Sequence, residues 1–115
     1  MYEKQSSRTR LSFYLSITQL GAGSITIKSN ELHLGKGGET LVDTAKILST
    51  YGDGFMIRTD SDKKIEDFSK NLTIPIINLL SPSSHPCQVL SDVFTVEEIK
   101  KKTSIKIKYV LDWGL

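Results

Sequence analysis

Three short stretches carry residue types suited to holding an anion. Ser6-Ser7-Arg8-Thr9-Arg10 stands at the head of an apolar-rich segment. Arg58 follows the apolar run Phe55-Met56-Ile57, and His85-Pro86-Cys87-Gln88 heads a second apolar-rich segment. A helix start leaves several backbone N–H groups without intrahelical partners and carries a partial positive charge. Hydroxyls there donate to an anion, and arginine adds charge and a forked donor set. Taken alone, the Ser6 stretch reads better as a Ser7 N-cap followed by solvated basic residues. Short polar motifs of this kind recur by chance, so the elements that place them must decide.

Those elements follow from periodicity. Tyr2 to Lys4 reads as the end of a strand. A helix is predicted from Arg8 to Leu20, with Leu11, Tyr14 and Leu15 on one stripe and Phe13, Ile17 and Leu20 on another, which implies burial on more than one side. Gly21 and Gly23 end it. Ser24 to Lys28 alternates and predicts a strand. Ser29 to Gly38 is a loop. Thr40, with Asp43 three residues on, opens a helix by capping-box spacing and places Leu41, Ala45 and Leu48 on one face. Phe55-Met56-Ile57 has the continuous apolar character of a strand buried on both faces. A helix with Ile65, Phe68 and Leu72 on one side follows. Ile74 to Ile77 reads as a strand, with Pro75 at an edge or a strand start. Pro86 suits the first turn of a last helix, whose buried side would be Val89, Leu90, Val93 and Phe94. Ile105, Ile107 and Tyr109 alternate with lysines and suggest a final strand.

Alternating strands and helices indicate an α/β fold, a three-layer domain with a parallel sheet flanked by helices. Ligands in such sheets bind beyond the carboxyl ends of the strands. The Ser6 stretch, Arg58 and the His85 stretch all follow strands, so all three project toward one edge. His85 and Gln88, three apart at a helix start, share a face. An imidazole can donate to a carbonyl oxygen, and a carboxamide can accept from an NH₂ group. Arg58 could bridge a carbonyl oxygen and a phosphate. The combination suits a ligand with phosphate, carbonyl and amino groups, as carbamoyl phosphate has.

Here the sequence resembles the aspartate and ornithine carbamoyltransferase family. Glu3-Lys4-x-Ser6-Ser7-Arg8-Thr9-Arg10-x-Ser12-Phe13 is similar to the family's Ser-Thr-Arg-Thr-Arg phosphate motif. Leu34-Gly35-Lys36-Gly37-Gly38-Glu39-Thr40 with Asp43-Thr44-Ala45 is similar to its mobile loop and following helix. Met56-Ile57-Arg58 and His85-Pro86-Cys87-Gln88 match two further motifs. Thr44-Ala45 and the Cys of His-Pro-Cys-Gln lean toward the ornithine branch, and the aspartate branch is the alternative. The resemblance implies that Ser6, Ser7, Arg8 and Thr9 hold the phosphate of carbamoyl phosphate. It implies that Arg58 touches phosphate and carbonyl oxygen, that His85 donates to that oxygen and that Gln88 accepts from the amino group. Arg10 belongs to the motif, with either a structural pairing or a ligand contact. His33 and Lys36 complete the candidates; the aspartate branch places its loop lysine where Gly37 stands. The implied reaction is attack of an amine on the carbamoyl carbon with loss of phosphate, using no metal, no cofactor and no covalent intermediate.

The resemblance also sets expectations of extent. Residues 1–102 would form the carbamoyl-phosphate-binding domain without its first helix, and 103–115 a stub of a second, amino-acid-binding domain. Ornithine would bind only with that second domain, and the relatives would be homotrimers. The chain alone would then be inactive. The alternative is a non-catalytic split-gene or decayed remnant that binds phosphate-like anions. At 115 residues one domain is expected. A formal charge of +2 is too small to imply nucleic acid or membrane partners. No apolar run is long enough to span a bilayer, and the start lacks a signal-peptide core. The single cysteine rules out an intrachain disulfide and a multi-cysteine metal site, and the cytoplasm is the expected compartment. Cys87 reads as a small hydrophobe. The lysines at 100–102, 106 and 108 read as a solvated helix end and strand face.

Overall fold

The computed structural model describes residues 1–2, 7–32, 34, 38 and 40–101. The proposed last strand, the stub at 103–115 and the candidates Ser6, His33 and Lys36 lie outside them. The order is α1 (Ser7–Gln19), a short 3-10 turn (Ser29–Glu31), α2 (Leu41–Tyr51), β1 (Phe55–Arg58), α3 (Asp62–Asn71), β2 (Ile76–Leu80) and α4 (Pro86–Lys100). β1 and β2 pair in parallel, with Phe55 opposite Ile76, Ile57 opposite Asn78 and Arg58 opposite Leu80. Tyr2 makes parallel bridges to both Arg58 and Lys28. The chain therefore runs as a small parallel layer in the order 28, 2, β1, β2, the expected α/β arrangement.

Local chemistry explains the boundaries. Thr40 caps α2, its Oγ1 accepting from the Asp43 N–H at 3.2 Å and donating to the Asp43 carboxylate at 2.6 Å. Ser61 caps α3 by accepting from the Lys64 N–H at 3.2 Å. Pro75 sits just before β2, where it needs no donor, and its carbonyl accepts from Phe55 N–H at 2.8 Å. Gly21 adopts φ 84°, the left-handed turn that closes α1 and that a residue with a Cβ disfavours. Pro86 occupies the first turn of α4.

The core gathers Met1, Ala45, Phe55, Ile57 and Phe68, with Leu41, Leu48, Ile65, Leu72, Ile74 and Ile76 packed around it. α2 lies against α3, and both contribute to this cluster. The Phe55 and Phe68 rings meet at 5.1 Å between centroids, tilted by 39°. Burying each such ring is worth about 1.5–3 kcal/mol. Leu79 is also fully buried, outside that cluster.

Four expectations need correction. The strand expected at Ile74–Ile77 runs instead over Ile76–Leu80, because Pro75 precedes the pairing and the buried Leu79 extends it. α1 is not buried on two sides. It has no buried residue; Phe13 and Ile17 are half-buried, while Leu11 is 58% exposed. Only the Phe13–Ile17 stripe gains cover from the described chain. On α4, β2 covers the side that carries Val89, Val93 and Val96, and Leu90 and Phe94 face away at 71% and 64% exposure. An apolar pattern wider than one face cannot say which part a single strand will cover. The 24–28 segment is a single bridge at Lys28 rather than a strand, and Ile25 is 89% exposed. Its neighbour among the described residues is Tyr2, whose N–H reaches the Ile27 carbonyl at 3.2 Å.

Candidate functional site

Parallel pairing sends the ends of the first segment, β1 and β2 to one edge. From there the chain enters α1 at Ser7, leaves β1 at Arg58 and enters α4 after His85. Neither α1 nor α4 has an acidic residue in its first turn, whereas α2 has Asp43 and α3 has Asp62. Of the three helices that start from this edge, α1 and α4 thus keep their positive ends free of a first-turn carboxylate, and α3, which follows β1, does not.

Arg58 ties the edge together. Its Nη1 donates to Thr9 Oγ1 at 3.2 Å, which locks the end of β1 to the first turn of α1. Its backbone N–H donates to the Met1 carbonyl at 2.9 Å. Its Nε is buried with no hydrogen-bond partner among the described residues. A buried donor of this kind is costly unless something completes it. Arg58 stands at a register irregularity, where Ile57 and Arg58 face Asn78 and Leu80 with Leu79 as the extra residue on β2. Such bulges re-aim side chains and concentrate near sites. Tyr2, beside Arg58, has its hydroxyl pKa raised by burial; the Arg58 and Arg10 charges act the other way. Arg10 therefore also points its charge toward this edge.

His85 is the N-cap residue of α4 and makes no side-chain cap bond. Its carbonyl accepts from the Gln88 and Val89 N–H groups at 3.1 and 3.2 Å. Burial lowers its pKa below 6.5, the Arg58 charge lowers it further, and Asp92 opposes both. The imidazole is accordingly neutral at pH 7 and carries one N–H donor. Gln88 Nε2 donates to Asp92 Oδ1 at 2.8 Å. Since a carboxylate only accepts, this bond commits the amide's donor end and leaves Oε1 as the acceptor. Ser7, Arg8 and Arg10 are exposed at the start of α1 and Thr9 is half-buried.

The structure thus joins Thr9 to Arg58 directly and brings Arg58 within electrostatic reach of His85, with Gln88 one turn into α4. Cys87 behaves as expected of a non-nucleophile: burial raises its pKa, and its thiol donates to the Asn78 carbonyl at 3.4 Å. The reading from sequence missed Asn78 and Asp92. Asp92 had a usable signal, since it lies four residues after Gln88 on one helix face.

Comparison with known proteins places this geometry. Residues 1–98 match the family described as aspartate/ornithine carbamoyltransferase, carbamoyl-P binding domain. Over 113 residues the chain is 45% identical to an ornithine carbamoyltransferase of Bacillus subtilis, covering 97% of this chain and 35% of that protein. It is 46% identical to the ornithine carbamoyltransferase of Oceanobacillus iheyensis, with the same coverage. The solved ornithine carbamoyltransferase of Pyrococcus furiosus superposes with a TM-score of 0.81 at 42% identity, covering 88% of this chain and 32% of that one. The chain spans about a third of the length of these relatives.

Proposed function

This chain belongs to the carbamoyl-phosphate-binding-domain family of the aspartate and ornithine carbamoyltransferases, and from that premise we propose that it binds carbamoyl phosphate at the edge joining α1, β1 and α4. The observation that carries the proposal is the Arg58–Thr9 bond at 3.2 Å, which couples a helix start to a strand-end guanidinium. In this reading the phosphate sits on the first turn of α1, held by Ser6, Ser7, Arg8 and Thr9. Arg58 reaches phosphate and carbonyl oxygen. The His85 N–H donates to that oxygen, and Gln88 Oε1 accepts from the ligand's amino group. Arg10, His33 and Lys36 stand outside this inner set.

In a protein of the relatives' full length the carbamoyl group would then pass to the side-chain amine of ornithine, giving citrulline and phosphate. The amine nitrogen bonds to the carbamoyl carbon, the carbon–oxygen bond to phosphate breaks, and the amine loses a proton. Arg58 and His85 oppose the charge that builds on the carbonyl oxygen, and the remaining contacts hold the carbon in line for attack. The 45% identity to an ornithine carbamoyltransferase supports ornithine over aspartate. A homotrimer in the cytoplasm is part of the same reading.

Calorimetry with carbamoyl phosphate tests this. Arg8→Ala removes one charged donor, worth about 1.5–3 kcal/mol, so affinity should fall about ten- to a hundredfold. The 115-residue chain given carbamoyl phosphate and ornithine should yield no citrulline, because the relatives are about three times as long. Unchanged affinity in Arg8→Ala would overturn the phosphate assignment. Ready turnover by the chain alone would put the acceptor site within these residues.

A further inference from the structure

We propose that Asn78 is a positioning residue for His85, clamping the chain on both sides of the imidazole. The inference rests on the reading of His85 as the donor to the ligand's carbonyl oxygen.

Asn78 lies in β2, opposite Ile57 and next to the register irregularity that aims Arg58. Its Nδ2 donates to Ser81 Oγ at 3.0 Å and to Ser84 Oγ at 2.9 Å. Ser81 is buried, and its N–H reaches the Ser84 carbonyl at 2.9 Å, closing the turn that delivers the chain to His85. After His85, the Cys87 thiol donates to the Asn78 carbonyl at 3.4 Å. One residue of the sheet therefore contacts the residue before His85 with its side chain, and the turn after it with its backbone. A second tether fixes the outside of the loop, where Ser83 Oγ donates to Asp62 Oδ1 at 2.9 Å. Hydrogen bonds from Ser81 and Ser83 hold the Asp62 carboxyl below its ordinary pKa.

Asn78 thereby fixes the backbone on both sides of His85, and that backbone carries the imidazole. The amide fits the task better than a carboxylate: it supplies two N–H donors from one nitrogen, one for each serine. The charges facing the imidazole are Arg58 from β1 and Asp92 from α4. Both lie on elements that Asn78 touches or adjoins, so a loosened loop would change His85's distance from each.

The test uses the full chain with Asn78→Ala and Ser84→Ala. Proton NMR follows the His85 imidazole through pH without ligand, with His85→Gln assigning its signal apart from His33. Calorimetry then compares carbamoyl phosphate with inorganic phosphate. Asn78→Ala should move the His85 midpoint up toward the solvated value of about 6.5 as water reaches the ring. It should weaken carbamoyl phosphate about tenfold and inorganic phosphate by less than about twofold, since phosphate alone does not need His85. Ser84→Ala, the milder change, should move both readouts the same way by less. A midpoint and an affinity ratio that stay at wild-type values in both variants, with only a lowered urea midpoint, would reduce Asn78 to a structural residue and overturn the proposal. Should Asn78→Ala fail to fold, Ser84→Ala alone decides. A wild-type chain that ignores carbamoyl phosphate would sink the proposed function, while the ligand-free titration would still judge Asn78.

Discussion

Replacing Arg58 with Met separates ligand binding from folding more cleanly than any other change at this edge. Methionine keeps an unbranched apolar stem and removes only the guanidinium. The backbone N–H of residue 58 still donates to the Met1 carbonyl, so the end of β1 keeps its anchor. What the fold loses is the 3.2 Å bond to Thr9 Oγ1, worth about 0.5–1.5 kcal/mol. It also sheds a buried Nε that has no hydrogen-bond partner among the described residues, which offsets part of that loss. The net cost in stability should stay under about 1 kcal/mol, small beside the roughly 5–15 kcal/mol of a folded domain. The ligand loses much more. A charged donor to phosphate or carbonyl oxygen contributes about 1.5–3 kcal/mol, and 1.4 kcal/mol is a factor of ten. Carbamoyl phosphate affinity should therefore fall about ten- to a hundredfold, measured by calorimetry beside a urea melt of the same sample. An affinity within about twofold of wild type in a folded variant would refute the assignment of Arg58 to the ligand. So would a loss of affinity that tracks a collapse in stability.

Two further outcomes follow from the same geometry. Phe68→Ala empties a fully buried site against Phe55 and should cost about 3–5 kcal/mol in urea unfolding, whereas Phe94→Ala, at 64% exposure, should stay within about 0.5 kcal/mol; equal costs would contradict the packing of α4 against β2. The His85 pKa is lowered in the fold, chiefly by burial and then by Arg58, so its contribution to stability is present in full above its ordinary value of about 6.5 and declines as pH falls below that, because the unfolded chain takes up the proton first. An NMR midpoint at or above 6.5 would contradict the burial of the ring beside Arg58.

Much of this was legible because its signals are local. Thr40 and Asp43, Pro86, Gly21 and the Phe55–Ile57 run each fix a boundary through caps, ring geometry or unbroken apolar character, and the structure has each in that role. Once β1 and β2 are read as parallel, the convergence of Ser7, Arg58 and His85 follows from topology. The failures concern which face is covered. The apolar residues of α1 and α4 exceed one stripe, and periodicity cannot tell the half-buried Val89–Val93 side of α4 from the exposed Leu90–Phe94 side. Ile25 and Ile27 alternate as a strand would, yet pairing there depends on Tyr2, far away in sequence. Asn78 gave no signal, because its importance lies in contacts across a turn closed by two serines.

Backbone amide NMR of the full chain, titrated with carbamoyl phosphate and separately with inorganic phosphate, tests the central claim most directly. The account predicts that both ligands shift the Ser7–Arg10 and Arg58 amides. Carbamoyl phosphate alone should add large shifts at His85 and Gln88, where its carbonyl and amino groups would lie. Shifts confined to other surfaces, or a His85–Gln88 response identical for the two ligands, would contradict it.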